Sequence, residues 1–121
     1  MRNLLCITTR DELTRVDLSA VVYFEADGNY TKIISENGLI SLVCMNLSNM
    51  QSAILSIPKK KSLHLARVGK RFIINMKHIY RISVVRQEIV LSDQKTFSYT
   101  LNISKEALKK LKEIIVKSSD N

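Results

Sequence analysis

The residues best suited to chemistry in this chain are cations. Gly69-Lys70-Arg71 sets two of them beside a glycine, the kind of turn in which the backbone can approach a partner closely. An arginine can grip guanine O6 and N7, or a phosphate, with paired bonds, whereas a lysine serves either as a point charge. These two residues stand in a stretch, 37–87, that has no Asp or Glu but also holds Lys59, Lys60, Lys61, Arg67, Lys77, Arg81 and Arg86. A surface selected only for solubility mixes its signs. The net charge of +8 points the same way, although charge alone suits nucleic acid and acidic lipid headgroups equally. The bland reading of Lys70 and Arg71 is a solvated hairpin turn. Lys59, Lys60 and Lys61 follow Pro58 and read first as a solvated connector that adds only nonspecific phosphate affinity.

The remaining candidates are weaker. Arg67 falls within an expected strand, where alternation points it to the same face as Gly69 and Arg71, and it reads as a phosphate-positioning residue or as half of a strand-surface ion pair. Asn75 is expected to hold a turn through side-chain-to-backbone hydrogen bonds. His64 and His78 have no companions at metal-ligand spacing, so no metal or other cofactor is expected. Cys6 and Cys44 stand alone, and buried thiols are the expected state. Phosphate-cradling glycine loops, HExxH, Gly-x-Ser-x-Gly and carboxylate pairs beside a histidine are all missing from the sequence, which argues against an enzyme.

The elements that must position these cations follow from length and patterning. With 121 residues, 45% hydrophobic and 25% charged, the chain reads as one globular domain, 1–121 with its core at about 4–115. No apolar run approaches a membrane span, and the short run at 4–7 is too brief for a secretory signal, so a cytoplasmic protein is expected. Runs of β-branched and aromatic residues bounded by turn signals predict strands at 4–8, 21–26, 30–35, 39–43, 63–68, 72–75, 79–85, 88–91 and 96–100. Asp27-Gly28-Asn29 and Glu36-Asn37-Gly38 supply hairpin chemistry between neighbouring strands. Leu47, Met50 and Ile54 recur at helical spacing behind Asn46 or Ser48 as a cap. Ala107, Leu108, Leu111, Ile114 and Ile115 do so behind Ser104. The result is an all-β or β-rich domain with two short helices, because strands and helices do not alternate as a doubly wound fold requires.

Three stretches, in order, resemble the LytTR DNA-binding domains of bacterial response regulators. Val22-Tyr23-Phe24-Glu25-Ala26-Asp27-Gly28-Asn29-Tyr30-Thr31-Lys32-Ile33 is similar to the family's opening motif. Arg67-Val68-Gly69-Lys70-Arg71-Phe72-Ile73-Ile74-Asn75-Met76-Lys77-His78-Ile79 is similar to its second. Glu88-Ile89-Val90-Leu91-Ser92-Asp93, followed by residues 96–100 and a helix, is similar to its closing strand pair. The resemblance implies elongated antiparallel β-sheets of about ten strands, with loops that reach successive DNA grooves. Carried over, the family's contacts fall on Asn29, Tyr30 and Lys32, on Lys70 and Arg71, and between Leu101 and Lys105. Without the resemblance Tyr30 would be read as half-buried packing.

This chain also departs from the pattern. Gly69-Lys70-Arg71-Phe72 stands where the family often has His-Arg-Ser-Tyr, so a histidine contact is missing and Arg71 would substitute for it. Before the last helix two registers stay open: in one Asn102 would read adenine, in the other Lys105 would replace an arginine and contact phosphate. The expected partner is double-stranded promoter DNA, with a homodimer on DNA allowed but not required, and neither a membrane nor a small-molecule substrate expected. No receiver domain is legible. The alternative function is a basic β-rich interaction domain that binds a protein or an acidic surface without reading sequence. Single-stranded nucleic acid would call for aromatic stacking platforms, and the seven Phe and Tyr residues sit mostly at core-like positions.

Overall fold

The computed structural model describes residues 3–58 and 64–118, so Lys59, Lys60 and Lys61 lie outside the described residues. Among the described residues ten strands form three antiparallel sheets accompanied by two α-helices, and the chain divides into two compact units at Lys77 and His78. No helix among the described residues is long and apolar enough to cross a membrane.

The first unit opens with a hairpin, β1 (Leu4–Thr8) and β2 (Leu13–Asp17). A sheet follows, built from β3 (Val21–Asp27), β4 (Tyr30–Ser35), β5 (Ile40–Val43), β6 (Leu65–Val68) and β7 (Phe72–Asn75) in the order β5-β4-β3-β7-β6. Strand β3 lies at its centre, and Val21, Val22, Tyr23 and Phe24 are all buried, as both faces of a central strand should be. Between β5 and β6 runs α1 (Leu47–Leu55), capped by Asn46, whose side chain accepts from the Asn49 amide at 2.8 Å. Leu47, Met50 and Ile54 of α1 share one core cluster with Leu5, Val16, Phe24, Ile33 and Ile73. Phe24 and Ile73 therefore define the α1 side of the sheet, and alternation sends Tyr23, Glu25 and Phe72 to the other side.

Strand β2 is the one that patterning overlooks. Only Val16 is buried in it, and Leu13 is exposed, so its apolar alternation is too thin to register. The expectation of buried thiols fails, because Cys6 and Cys44 are both exposed. Cys6 occupies the outward position between buried Leu5 and Ile7 on β1, and Cys44 follows buried Val43 just past the end of β5. Alternation thus decides against the residue type.

The second unit holds β8 (Ile79–Ser83), β9 (Glu88–Ser92) and β10 (Ser98–Asn102) in the order β10-β9-β8, followed by α2 (Lys105–Ser118). Leu108 and Leu111 form the buried stripe of α2, while Lys105, Lys109, Lys110, Lys112 and Lys117 are exposed. Ile89, Leu91, Leu101 and Ile103 are also buried, and His78 meets Phe97 edge-on at 5.0 Å.

Strand β10 starts two residues later than patterning suggests. The Asp93 carboxylate takes the amides of Lys95, Thr96 and Phe97 at 2.9, 2.8 and 3.1 Å and the Thr96 hydroxyl at 2.5 Å. Amides bonded to that carboxylate are drawn into a loop and are lost to the strand ladder.

Candidate nucleic-acid interface

Two hairpins of the first unit, β3–β4 and β6–β7, each deliver part of a cationic group. Strands β3 and β4 are joined through Gly28 and Asn29, with Asp27 opposite Tyr30, and Gly28 takes φ +62° as a two-residue loop requires of its first position. That register sets Glu25 opposite Lys32 on one side and opposite Phe72 of β7 on the other. Asn29 and Tyr30 are exposed at the tip. The β6–β7 connection spans Gly69, Lys70 and Arg71, with Val68 opposite Phe72 and Gly69 at φ +66°.

Arg71 is held at several points. Its carbonyl accepts from the Ala26 amide at 2.8 Å, which carries the β3–β7 pairing into the turn. Its Nη2 donates to Glu25 Oε2 at 2.5 Å, and its guanidinium carbon stands 5.3 Å from the centre of the Phe72 ring. Glu25 Oε1 faces Lys32 Nζ at 4.0 Å. Each oxygen of this one carboxylate therefore faces a different cation. The Arg71 side chain is 62% exposed, that of Lys32 39%, and that of Glu25 only 19%. Lys70 is exposed too, and among the described residues its ammonium has no ion-pair partner.

Arg67 is placed differently. It pairs with Ile73 in register, on the α1 side, and its Nη1 donates to Gln51 Oε1 of α1 at 2.8 Å. Its Nη2 donates to the Lys70 carbonyl at 2.8 Å, while Nε is buried without a partner among the described residues. Alternation assigned Arg67 and Arg71 to one face, but Arg67 bonds α1 while Arg71 bonds Glu25 on the other side. The turn at Gly69 interrupts the strand period that the alternation assumed.

Asn75 and Lys77 serve the framework. Asn75 is buried, its Nδ2 donates to the Val21 carbonyl at 2.9 Å, and its Oδ1 accepts from the Lys77 amide at 3.2 Å, which matches the turn-holding role expected of it. Lys77 Nζ donates to the Ser19 carbonyl at 3.0 Å and pairs with Glu36 at 3.6 Å. In the second unit Asn102 is exposed at the end of β10, opposite Glu88, and Ser104 caps α2 by accepting from the Ala107 amide at 3.3 Å. Lys105 is the first residue of that helix and is exposed. The interval between Asn102 and Lys105 is thus a strand end followed by a helix cap, with both candidate side chains in solvent.

Sequence reasoning missed Glu25 and Gln51 as partners of the two arginines. The Glu25–Lys32 pairing could have been found by folding the hairpin about Gly28 and Asn29. Gln51 had no such signal. Groups of His, Cys, Asp and Glu able to hold a metal are absent among the described residues.

The family described as the LytTr DNA-binding domain matches residues 11–116. The chain belongs to this family and is a DNA-binding domain. The solved structures include a LytTr DNA-binding domain of a putative methyl-accepting/DNA response regulator from Bacillus cereus. It is 21% identical, covers 93% of this chain and 95% of its own, and superposes with a TM-score of 0.62. At that identity the likeness speaks for the fold, which it shares. No curated protein is similar enough to the chain to count as a match.

Proposed function

We propose that the chain reads a specific double-stranded DNA sequence as the output module of a bacterial transcription regulator of the response-regulator kind, acting in the cytoplasm. Asn29, Tyr30 and Lys32, Lys70 and Arg71, and Asn102 and Lys105 contact phosphates and base edges in successive grooves. Arg71 is the base reader and Lys70 the nearest phosphate contact. Arg67 joins the β6–β7 turn to α1 and acts through that turn. The observation that carries the reading is Arg71, exposed at a turn yet fixed by a carboxylate and an aromatic ring, in a chain of a DNA-binding family. Flexible surface cations find phosphate, whereas a guanidinium with a set plane suits the paired acceptors of a guanine edge.

The test begins with selection of preferred sites from a random duplex pool. A consensus should emerge, and Arg71→Ala should weaken binding to it by about 1–3 kcal/mol and relax one position. If the variant keeps both affinity and consensus, Arg71 is not the reader. The stoichiometry of the selected complex tests whether two copies pair on the site.

A further inference from the structure

The cations of the first unit's turns do not face solvent alone. Glu25 stands among them with most of its side chain sheltered, and it is a carboxylate where a surface built only to attract phosphate would carry none. Its position is set by the sheet: opposite Lys32 on β4 and opposite Phe72 on β7, so that both neighbours arrive by backbone register.

We propose that Glu25 determines how well this domain distinguishes its site from other DNA, by holding Arg71 in a fixed orientation and cancelling charge that would bind any phosphate. The inference rests on the reading of Arg71 as the base contact. Glu25 Oε2 takes a donor from Nη2 of Arg71, and the Phe72 ring lies beside the guanidinium carbon. Among the described residues no bond engages Nη1, which leaves donors for a base edge. A base edge accepts a guanidinium only in one plane, whereas a phosphate accepts a cation from many directions. Orientation therefore favours the base, and neutralisation penalises the phosphate. Lys32, Lys70 and Arg71 carry three positive charges, against one negative charge on Glu25 and one on exposed Asp27 at the end of β3, so these turns present a net +1.

Glu25→Gln removes the charge and keeps the shape. On random duplex DNA, its affinity should rise several-fold at low salt, and the slope of log K against log salt should steepen by up to about 0.9. Affinity for the selected site should rise less or fall, so the ratio of the two drops several-fold. Glu25→Asp keeps the charge but shortens the reach to Arg71. Its random-DNA affinity should stay low while its selected-site affinity falls. Thermal unfolding of each variant checks that the sheet is intact. An unchanged ratio in Glu25→Gln, or equal gains on both DNAs, overturns the proposal. So does a Glu25→Asp protein that keeps wild-type affinity for the selected site. If the wild-type chain shows no preference among sequences, the reading of the site has failed first. If it discriminates and Glu25→Gln does so equally well, only the role of Glu25 has failed.

Discussion

The two arginines of the β6–β7 hairpin differ in what their removal should do. Arg67 donates to Gln51 on α1 and to the Lys70 carbonyl while its Nε lies buried without a partner among the described residues, so its surroundings have little slack. Gln51→Ala should therefore cost about 1.5–3 kcal/mol of stability, the range for a hydrogen bond to a charged group, read as a lower urea midpoint. Lys70 has an exposed ammonium and should behave oppositely. Lys70→Ala should change stability by less than about 0.5 kcal/mol while lowering the salt slope of DNA binding by about 0.9. A Gln51→Ala protein as stable as wild type would remove Arg67 from the turn's support. The difference was not readable from residue type, because two arginines four positions apart differ only in which side of the sheet their partners occupy.

At the scale of elements, the loop between β9 and β10 is organised by Asp93. The Thr96 hydroxyl, first, and then the amides of Lys95, Phe97 and Thr96 hold its carboxyl well below the ordinary value of 3.8, against partial desolvation. A carboxylate lowered in the folded state contributes stability that is complete above the unfolded value and is lost as pH falls through the folded one. The difference in unfolding midpoint between wild type and Asp93→Ala should thus be constant from neutral pH down to roughly pH 5 and shrink steadily in stronger acid. A gap that persists unchanged into strong acid would show that the carboxylate's charge is irrelevant. Most elements were legible in the sequence: α1 from its Asn46 cap and apolar spacing, α2 from Ser104 and its leucines, and the β3–β4 hairpin from Asp27-Gly28-Asn29. Strand β2 was not, with a single buried residue, and β10 was placed early because a side chain took the amides that strand patterning assigns to a ladder.

For the whole molecule, the net charge of +8 predicts binding that falls linearly and steeply in log K as log salt rises, measured by anisotropy on a labelled duplex. A flat response would exclude phosphate neutralisation as the source of affinity. By itself the sequence determined the β-rich class, both helices, the family and the list of cations, because all of these depend on local periodicity, turn chemistry and residue type. It could not determine which cations are paired. The stretch 37–87 has no acid in sequence, yet in space Arg71 meets Glu25 and Lys77 meets Glu36, both acids from outside it. Strand register brings residues 46 positions apart within bonding distance, and such pairing leaves no trace in local composition. Among the described cations of that stretch, Arg71 and Lys77 meet acids while Lys70, Arg81 and Arg86 stay exposed, because neighbours in space rather than along the chain decide which charges are cancelled.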